Sequence, residues 1–180
     1  MILNKERIVF IHAPRTSGTS IENEILKNQL VPDNQKHLRA SQIKRHLESK
    51  WSDYFKFTIV RNPWDRVISF YNQIFHEAYG IRTGKSLLFF LEHYRPAPWE
   101  YGLQCSDYAD EKMDLVIKFE NREEGLKSLE NITGIKVDPN KKSRSRDRDK
   151  KNYRDYYDEK TKDIVEKSFA RDIELYEYEF

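Results

Sequence analysis

Apolar residues along this chain follow two periodicities. Ile8 to Ile11 is an unbroken apolar run, Phe55 to Val60 reads FKFTIV, and Leu115 to Phe119 reads LVIKF. Short runs of this kind predict strands buried in a parallel sheet, here Arg7 to His12, Phe55 to Val60 and Leu115 to Phe119. Elsewhere apolar positions recur at helical spacing. Ile21, Ile25 and Leu26 form one inward stripe, and Trp64, Val67, Ile68, Tyr71, Ile74 or Phe75, and Ala78 form another. Asn62 suits the cap of that second helix, Pro63 its first turn, and Asp65 the positive end of its dipole. Shorter helical patterns cover Ala40 to Leu47 and Ser86 to His93. Glu123 to Thr133 predicts a helix closed by Gly134, and Asp158 to Arg171 a last helix with Ile164, Val165, Phe169 and Ile173 facing inward. Strands and helices alternate without an internal repeat, which predicts an α/β fold.

Length and composition narrow the picture. A chain of 180 residues is expected to form one domain over 1–180 with a sizeable core. Hydrophobic residues at 38% and aromatics at 13% favour a folded globule although 34% of residues are charged. The net charge of +2 makes no general case for nucleic acid. A lone cysteine, Cys105, excludes an intramolecular disulfide and fits a reducing compartment. No apolar segment approaches a membrane span and no signal core is seen, so a cytoplasmic protein is expected. Two loops stand out. One is the proline- and aromatic-rich RPAPWEYGLQCSDYADEK. The other is the charge run Asn140 to Arg154, which reads equally as a solvated loop or as an anion-binding segment.

The candidate chemistry begins at IVFIHAPRTSGTSIENEI, a strand, a tight loop and a helix. Such a turn aims backbone N–H groups and a helix dipole at one spot, which favours an anion. Laid on the Walker pattern G-x4-G-K-[ST], the loop supplies Ala13, Pro14, Arg15, Thr16, Ser17, Gly18, Thr19 and Ser20. Ala13 replaces the first glycine, Thr19 replaces the lysine, and a basic group stands earlier, as Arg15. A second anion site is suggested where Arg61 leaves the next strand and Ser69 presents a hydroxyl from the following helix. Ligands of doubly wound sheets lie outside the carboxyl ends of the strands, so both sets are expected at one crevice. Separated phosphates on a single nucleotide would fit.

The ordered pair FIHAPRTSGTSIE and TIVRNPWDRVISFYN resembles the signature segments of sulfotransferases that use 3′-phosphoadenosine 5′-phosphosulfate, most closely the short bacterial and carbohydrate-type branch. KHLRASQIK with WSDYFKF, DLVIKFENREEGLKSL and YRDYYDEKTKDIVEKSFARDIELYEYEF extend the likeness from Ile8 to Phe180. The resemblance implies a three-layer α/β sandwich with a central parallel sheet and a P-loop-like nucleotide site, so that one or two strands beyond the three legible ones are expected in the connections. It also implies that Pro14, Arg15, Thr16, Ser17, Gly18, Thr19 and Ser20 bind the 5′-phosphosulfate, and that Arg61 and Ser69 bind the 3′-phosphate. The donor would be a co-substrate, leaving as adenosine 3′,5′-bisphosphate. A sulfuryl group carries less charge than a transferring phosphoryl, so no metal is expected. Arg15 stands at the family's usual lysine position and, unlike lysine, stays charged and acts by hydrogen bonding.

The acceptor must lose a proton as it attacks sulfur, and histidine suits that task near neutral pH. Of the five histidines, His37 lies in the segment matching the family's catalytic-histidine region, and His12, at the end of the first strand, is the rival. The acceptor is expected to be a carbohydrate, either a small molecule or a polysaccharide, sulfated on a hydroxyl or an amine. Nucleic acid and a membrane span are not expected. Two other classes also fit parts of the pattern. A P-loop nucleoside or nucleotide kinase would share the loop but needs the Walker lysine. A non-enzymatic polyanion-binding module would need only Asn140 to Arg154.

Overall fold

In the computed structural model, residues 1–25, 36–74, 86–93, 103–138 and 151–180 are described. Their elements in chain order are β1 (Ile2–Leu3), β2 (Ile8–Ile11), α1 (Gly18–Ile25), α2 (Ala40–Leu47), β3 (Phe55–Val60), α3 (Pro63–Asn72), α4 (Leu87–His93), α5 (Cys105–Tyr108), β4 (Leu115–Lys118), α6 (Arg122–Thr133), α7 (Glu159–Ser168) and α8 (Ala170–Tyr176). Contacts divide the chain into two compact units, Met1–Arg61 with Asp107–Arg146 and Asn62–Ser106 with Asp147–Phe180.

The first unit holds a four-stranded sheet in the order β1-β2-β3-β4. The three strands expected from the apolar runs pair in parallel, with Phe10 opposite Phe57 and Phe57 opposite Leu115. Among the described residues the additional strand precedes them: β1 adds an antiparallel edge, pairing Ile2 with Val9. Side chains alternate across a strand, so Ile8, Phe10, Phe57, Ile59 and Ile117 share one face. There they form a core with Ile21 of α1 and Leu126 and Leu129 of α6. On the other face Val9, Ile11, Thr58 and Val60 are also buried, which is why β2 reads as an unbroken apolar run, whereas Val116 of β4 is exposed on that face. Helix α6 lies hard against β4, because a Cβ on Gly125 would come within 2.3 Å of Ile117 Cγ2. It ends, as expected, on Gly134 in the left-handed conformation, at φ 74°.

The second unit is helical among its described residues. Asn62 caps α3, its Oδ1 accepting from Trp64 N at 3.1 Å and Asp65 N at 3.4 Å, with Pro63 in the first turn. Trp64, Val67, Ile68, Phe70 and Ile74 pack with Leu87, Phe90 and Leu91 of α4 and with Val165 and Phe169. The other stripe candidates, Leu26, Phe75 and Ala78, lie outside the described residues, as does most of Asn140 to Arg154.

The expected single helix from Asp158 to Arg171 is instead two. Helix α7 starts behind a capping box of Asp158 and Thr161 and stops at Phe169, whose backbone at φ −117° and ψ 23° leaves the helical region before α8 begins. The reason is tertiary. Phe169 sits in the aromatic core, and Asp172, 1% exposed, accepts hydrogen bonds from the Cys105 and Ser106 amides at 2.6 and 2.8 Å. The Asp172 amide in turn donates to Gln104 Oε1 at 2.8 Å. Part of the stretch expected to be a loop is therefore the short helix α5, and its Cys105 is buried and in no disulfide.

Removing the Asp172 carboxylate should leave two buried N–H groups without that acceptor, at about 1–3 kcal/mol each. Asp172→Ala is expected to lower the urea unfolding free energy by roughly 2–5 kcal/mol, and Asp172→Asn by less, because one acceptor oxygen remains. Unchanged midpoints for both variants would contradict this role.

Candidate active site

The same alternation that builds the core carries past the strand ends. Two residues beyond Phe10, Ile59 and Ile117 come His12, Arg61 and Phe119, at the carboxyl ends of β2, β3 and β4. The His12 ring stacks on Phe10 of its own strand at 5.6 Å between centroids, and the Arg61 guanidinium, at the end of β3, lies 4.3 Å from the centre of the Phe119 ring beyond β4. Arg61 is buried at 4% exposure, and its Nη1 donates to the Arg15 carbonyl at 3.0 Å. Arg15 and Arg61, predicted as members of separate anion sites, thus meet at one loop.

That loop has an unusual backbone. Arg15 and Ser17 are left-handed, at φ 67° and 72°, while Thr16 between them is not. Non-glycine residues in this conformation cost on the order of 1–2 kcal/mol each. The alternation turns successive N–H groups into one concavity, an arrangement that binds anions. Thr16 Oγ1 holds the turn by donating to the Ala13 carbonyl at 2.8 Å, and Ser20 N closes it onto the Ser17 carbonyl at 3.2 Å. Helix α1 then starts at Gly18, adding its dipole to the concavity. Pro14, Thr16, Gly18 and Ser20 are buried, whereas Arg15, Ser17 and Thr19 are partly exposed around them.

Under the loop lies a histidine pair. His12 is 3% exposed, and its ring fills the space beside Gly18: a Cβ on residue 18 would come within 2.1 Å of His12 Cδ2. Its Nδ1 donates to Glu22 Oε1 at 2.9 Å, and Glu22 is itself buried. Residues 18 and 22 lie one helical turn apart, so the gap and the carboxylate are presented on the same side of α1. Burial pushes the His12 pKa below its ordinary value, although the bond to Glu22 pulls it back up. The Nδ1 of His12 is thus engaged by Glu22 within the fold.

His37 is placed differently. Partly exposed, it donates Nδ1–H to the His12 carbonyl at 2.9 Å, with the two rings 4.5 Å apart. A carbonyl only accepts, so that bond fixes the tautomer and leaves the lone pair of neutral His37 on Nε2. Helix α2, just beyond His37, is anchored by Asp110, which accepts from Ser41 N at 2.8 Å and Ser41 Oγ at 2.6 Å, and by the Lys44–Glu111 pair at 2.8 Å.

Ser69 belongs to the second unit, where it is buried on α3, two turns beyond the Asn62 cap. Two residues of the first unit were missed from sequence. Glu22 carried a legible sign, a carboxylate one turn after the only glycine of a loop that follows a histidine-ended strand. Arg122 carried another: it opens α6, where the helix dipole disfavours a cation, and its Nη1 donates to Ser17 Oγ at 3.2 Å.

A family model described as the sulfotransferase family matches residues 1–179. Among solved structures, the chain is similar to that of the mouse sulfotransferase SULT7A1 complexed with PAP, with a TM-score of 0.63 and 13% identity, over 96% of this chain and 86% of that one. This likeness establishes the α/β fold. No curated protein matches the chain.

The buried His12 makes stability depend on pH with a definite sign. Unfolded, the ring takes a proton near pH 6.5, about the reference value, but folded it does so only at lower pH. Between those values the unfolded state binds more protons, so this contribution is complete above about pH 6.5 and falls away as pH drops. Urea unfolding should show a steeper loss between about pH 7 and 5 for the wild type than for His12→Gln, which cannot be protonated. Parallel slopes would mean that His12 is not held neutral by the fold.

Proposed function

This chain belongs to the sulfotransferase family and is an enzyme of sulfuryl transfer, and we propose that it moves the group from 3′-phosphoadenosine 5′-phosphosulfate to a carbohydrate hydroxyl or amine. The observation that carries the reading is the Arg15–Ser17 loop: two left-handed residues flanking Thr16 at the start of α1, a backbone pattern suited to anions, with Arg61 bonded to it. The PAP bound to the mouse sulfotransferase of like fold supports the choice of donor.

In this reading Pro14 to Ser20 take the 5′-phosphosulfate, and Arg61 and Ser69 the 3′-phosphate. The acceptor oxygen attacks sulfur as the bond from sulfur to the bridging phosphate oxygen breaks. His37 Nε2 takes the acceptor proton, its other nitrogen being held by the His12 carbonyl. Arg15 stabilises the departing phosphate by charge and hydrogen bonding, since a guanidinium does not give up its proton. No metal is assigned a part, and the two units act as one transferase domain. A carbohydrate acceptor is supported by the likeness of the signature segments to the carbohydrate-type branch and by the basic run Asn140 to Arg154. No helix of the described residues is long and apolar enough to cross a membrane, and a cytoplasmic setting agrees with the single buried Cys105.

His37→Ala is expected to reduce transfer of labelled sulfate by about 10²- to 10⁴-fold while leaving donor affinity nearly unchanged. Retained activity there would remove His37 from the mechanism.

Arg61→Ala should weaken adenosine 3′,5′-bisphosphate by roughly ten- to a hundredfold and adenosine 5′-phosphate far less, with Ser69→Ala behaving alike but more mildly. Arg15→Ala should weaken both ligands, because both carry the 5′-phosphate. Calorimetry separates these patterns. Equal losses for both nucleotides in Arg61→Ala would show that Arg61 does not read the 3′-phosphate, and a preference of the wild type for ATP over the bisphosphate would favour a kinase.

A further inference from the structure

Arg122 occupies a position that helix physics disfavours. It is the first residue of α6, where the dipole is unfavourable to a cation, and Glu123 and Glu124 beside it follow the ordinary preference. Nor does the side chain escape into water: Arg122 is 9% exposed, and burial holds its pKa below the usual arginine range, while the Glu24 and Asp138 carboxylates pull it back up. A cation kept desolvated against a helix dipole runs counter to local preference, and such conflicts concentrate at functional sites. The guanidinium reaches back from the end of β4 to the loop before α1, donating Nη1–H to Ser17 Oγ at 3.2 Å.

Ser17 is the second of the two left-handed residues that shape the concavity. A serine hydroxyl has one proton to give and two lone pairs to receive. With a guanidinium N–H on one lone pair, the oxygen is fixed in place, and its own O–H is polarised and turned away from Arg122. Resting on the donor reading above, we propose that Arg122 is a positioning residue of the donor site: it holds Ser17 Oγ so that the Ser17 O–H is delivered to the phosphosulfate on the loop. Three arginines, in the segments that follow β2, β3 and β4, then serve one loop. Arg15 lies within it, Arg61 grips its backbone, and Arg122 grips its hydroxyl. The competing role for Arg122 is charge balance for Glu24 and Asp138 alone. Lysine would meet that need, but its point charge lacks the planar fork that reaches Ser17 while facing the carboxylates.

The test is a double-mutant cycle read by calorimetry with adenosine 3′,5′-bisphosphate and with inorganic pyrophosphate. Arg122→Lys and Arg122→Met are each measured alone and with Ser17→Ala, alongside thermal melting. Arg122→Lys should melt like the wild type yet bind both ligands about two- to tenfold more weakly, the range of one hydrogen bond. Ser17→Ala should show a similar loss, and adding either Arg122 substitution to it should weaken binding little further. Wild-type affinity in Arg122→Lys would overturn the proposal in favour of charge balance. Losses that add fully in the double variants would overturn it by showing that Arg122 does not act through Ser17. If Arg122→Met melts too low to measure, the lysine variant still decides. A wild type that binds pyrophosphate but not the bisphosphate would sink the donor reading while leaving this role testable by the same cycle on pyrophosphate, and one that binds neither would overturn both.

Discussion

The close approach of the His12 ring to the backbone of Gly18 governs the rest of the site. With only a hydrogen at residue 18, the first turn of α1 can lie directly on the imidazole, and Glu22 comes level with its nitrogen. The start of α1 is thereby located relative to the end of β2, which leaves the intervening residues little room. Arg15 and Ser17 take up the difference in left-handed backbone, the kind of conformation that gathers successive N–H groups into an anion-binding concavity. The His12 carbonyl, held in the same place, becomes the hook for His37. One steric allowance therefore sets the shape of the anion concavity and the tautomer of the proposed base together.

Charge at the site is carried by arginine. Arginine keeps its proton under these conditions and offers several fixed donors, so each side chain can hold protein and ligand at once. Arg61 illustrates the point: one donor is engaged by the Arg15 carbonyl while the plane of the group rests near Phe119. In the proposed reaction proton movement falls to His37, which would separate the electrostatic and acid–base tasks onto different residues. His12 and His37 show how environment divides two identical side chains. One is buried, paired and pushed toward neutrality, and the other is partly exposed with a free ring nitrogen.

Within the second unit, order comes from aromatic packing and buried polar anchors. Tyr157 donates to the Trp64 carbonyl at 2.8 Å and Trp64 Nε1 to the Lys162 carbonyl at 3.2 Å, while Asn62, besides capping α3, donates to the Glu179 carbonyl at 2.8 Å. The last residues of the chain are thus tied to the start of α3, the helix that also carries Ser69. Arg66, 1% exposed, gives an N–H to the Leu103 carbonyl at 2.8 Å, joining α3 to the segment that Asp172 secures.

Local physics made much of this readable from the residues alone. Apolar runs marked β2, β3 and β4, most plainly β2, which is buried on both faces and so admits no polar alternation, and Asn62-Pro63 and Gly134 marked helix ends because their backbone chemistry suits those positions and little else. The hydroxyl-rich loop and Arg61 were visible for the same reason: their spacing from a strand end is local. The edge strand β1 was too short to carry a period, and the break at Phe169 left no mark because helical spacing continues across it. The partners of His12, of Arg61 and of Arg122 were decided only by tertiary structure. They come from residues 10, 46 and 105 positions away, and which of them meet depends on parallel register and on how closely α1 and α6 approach the sheet.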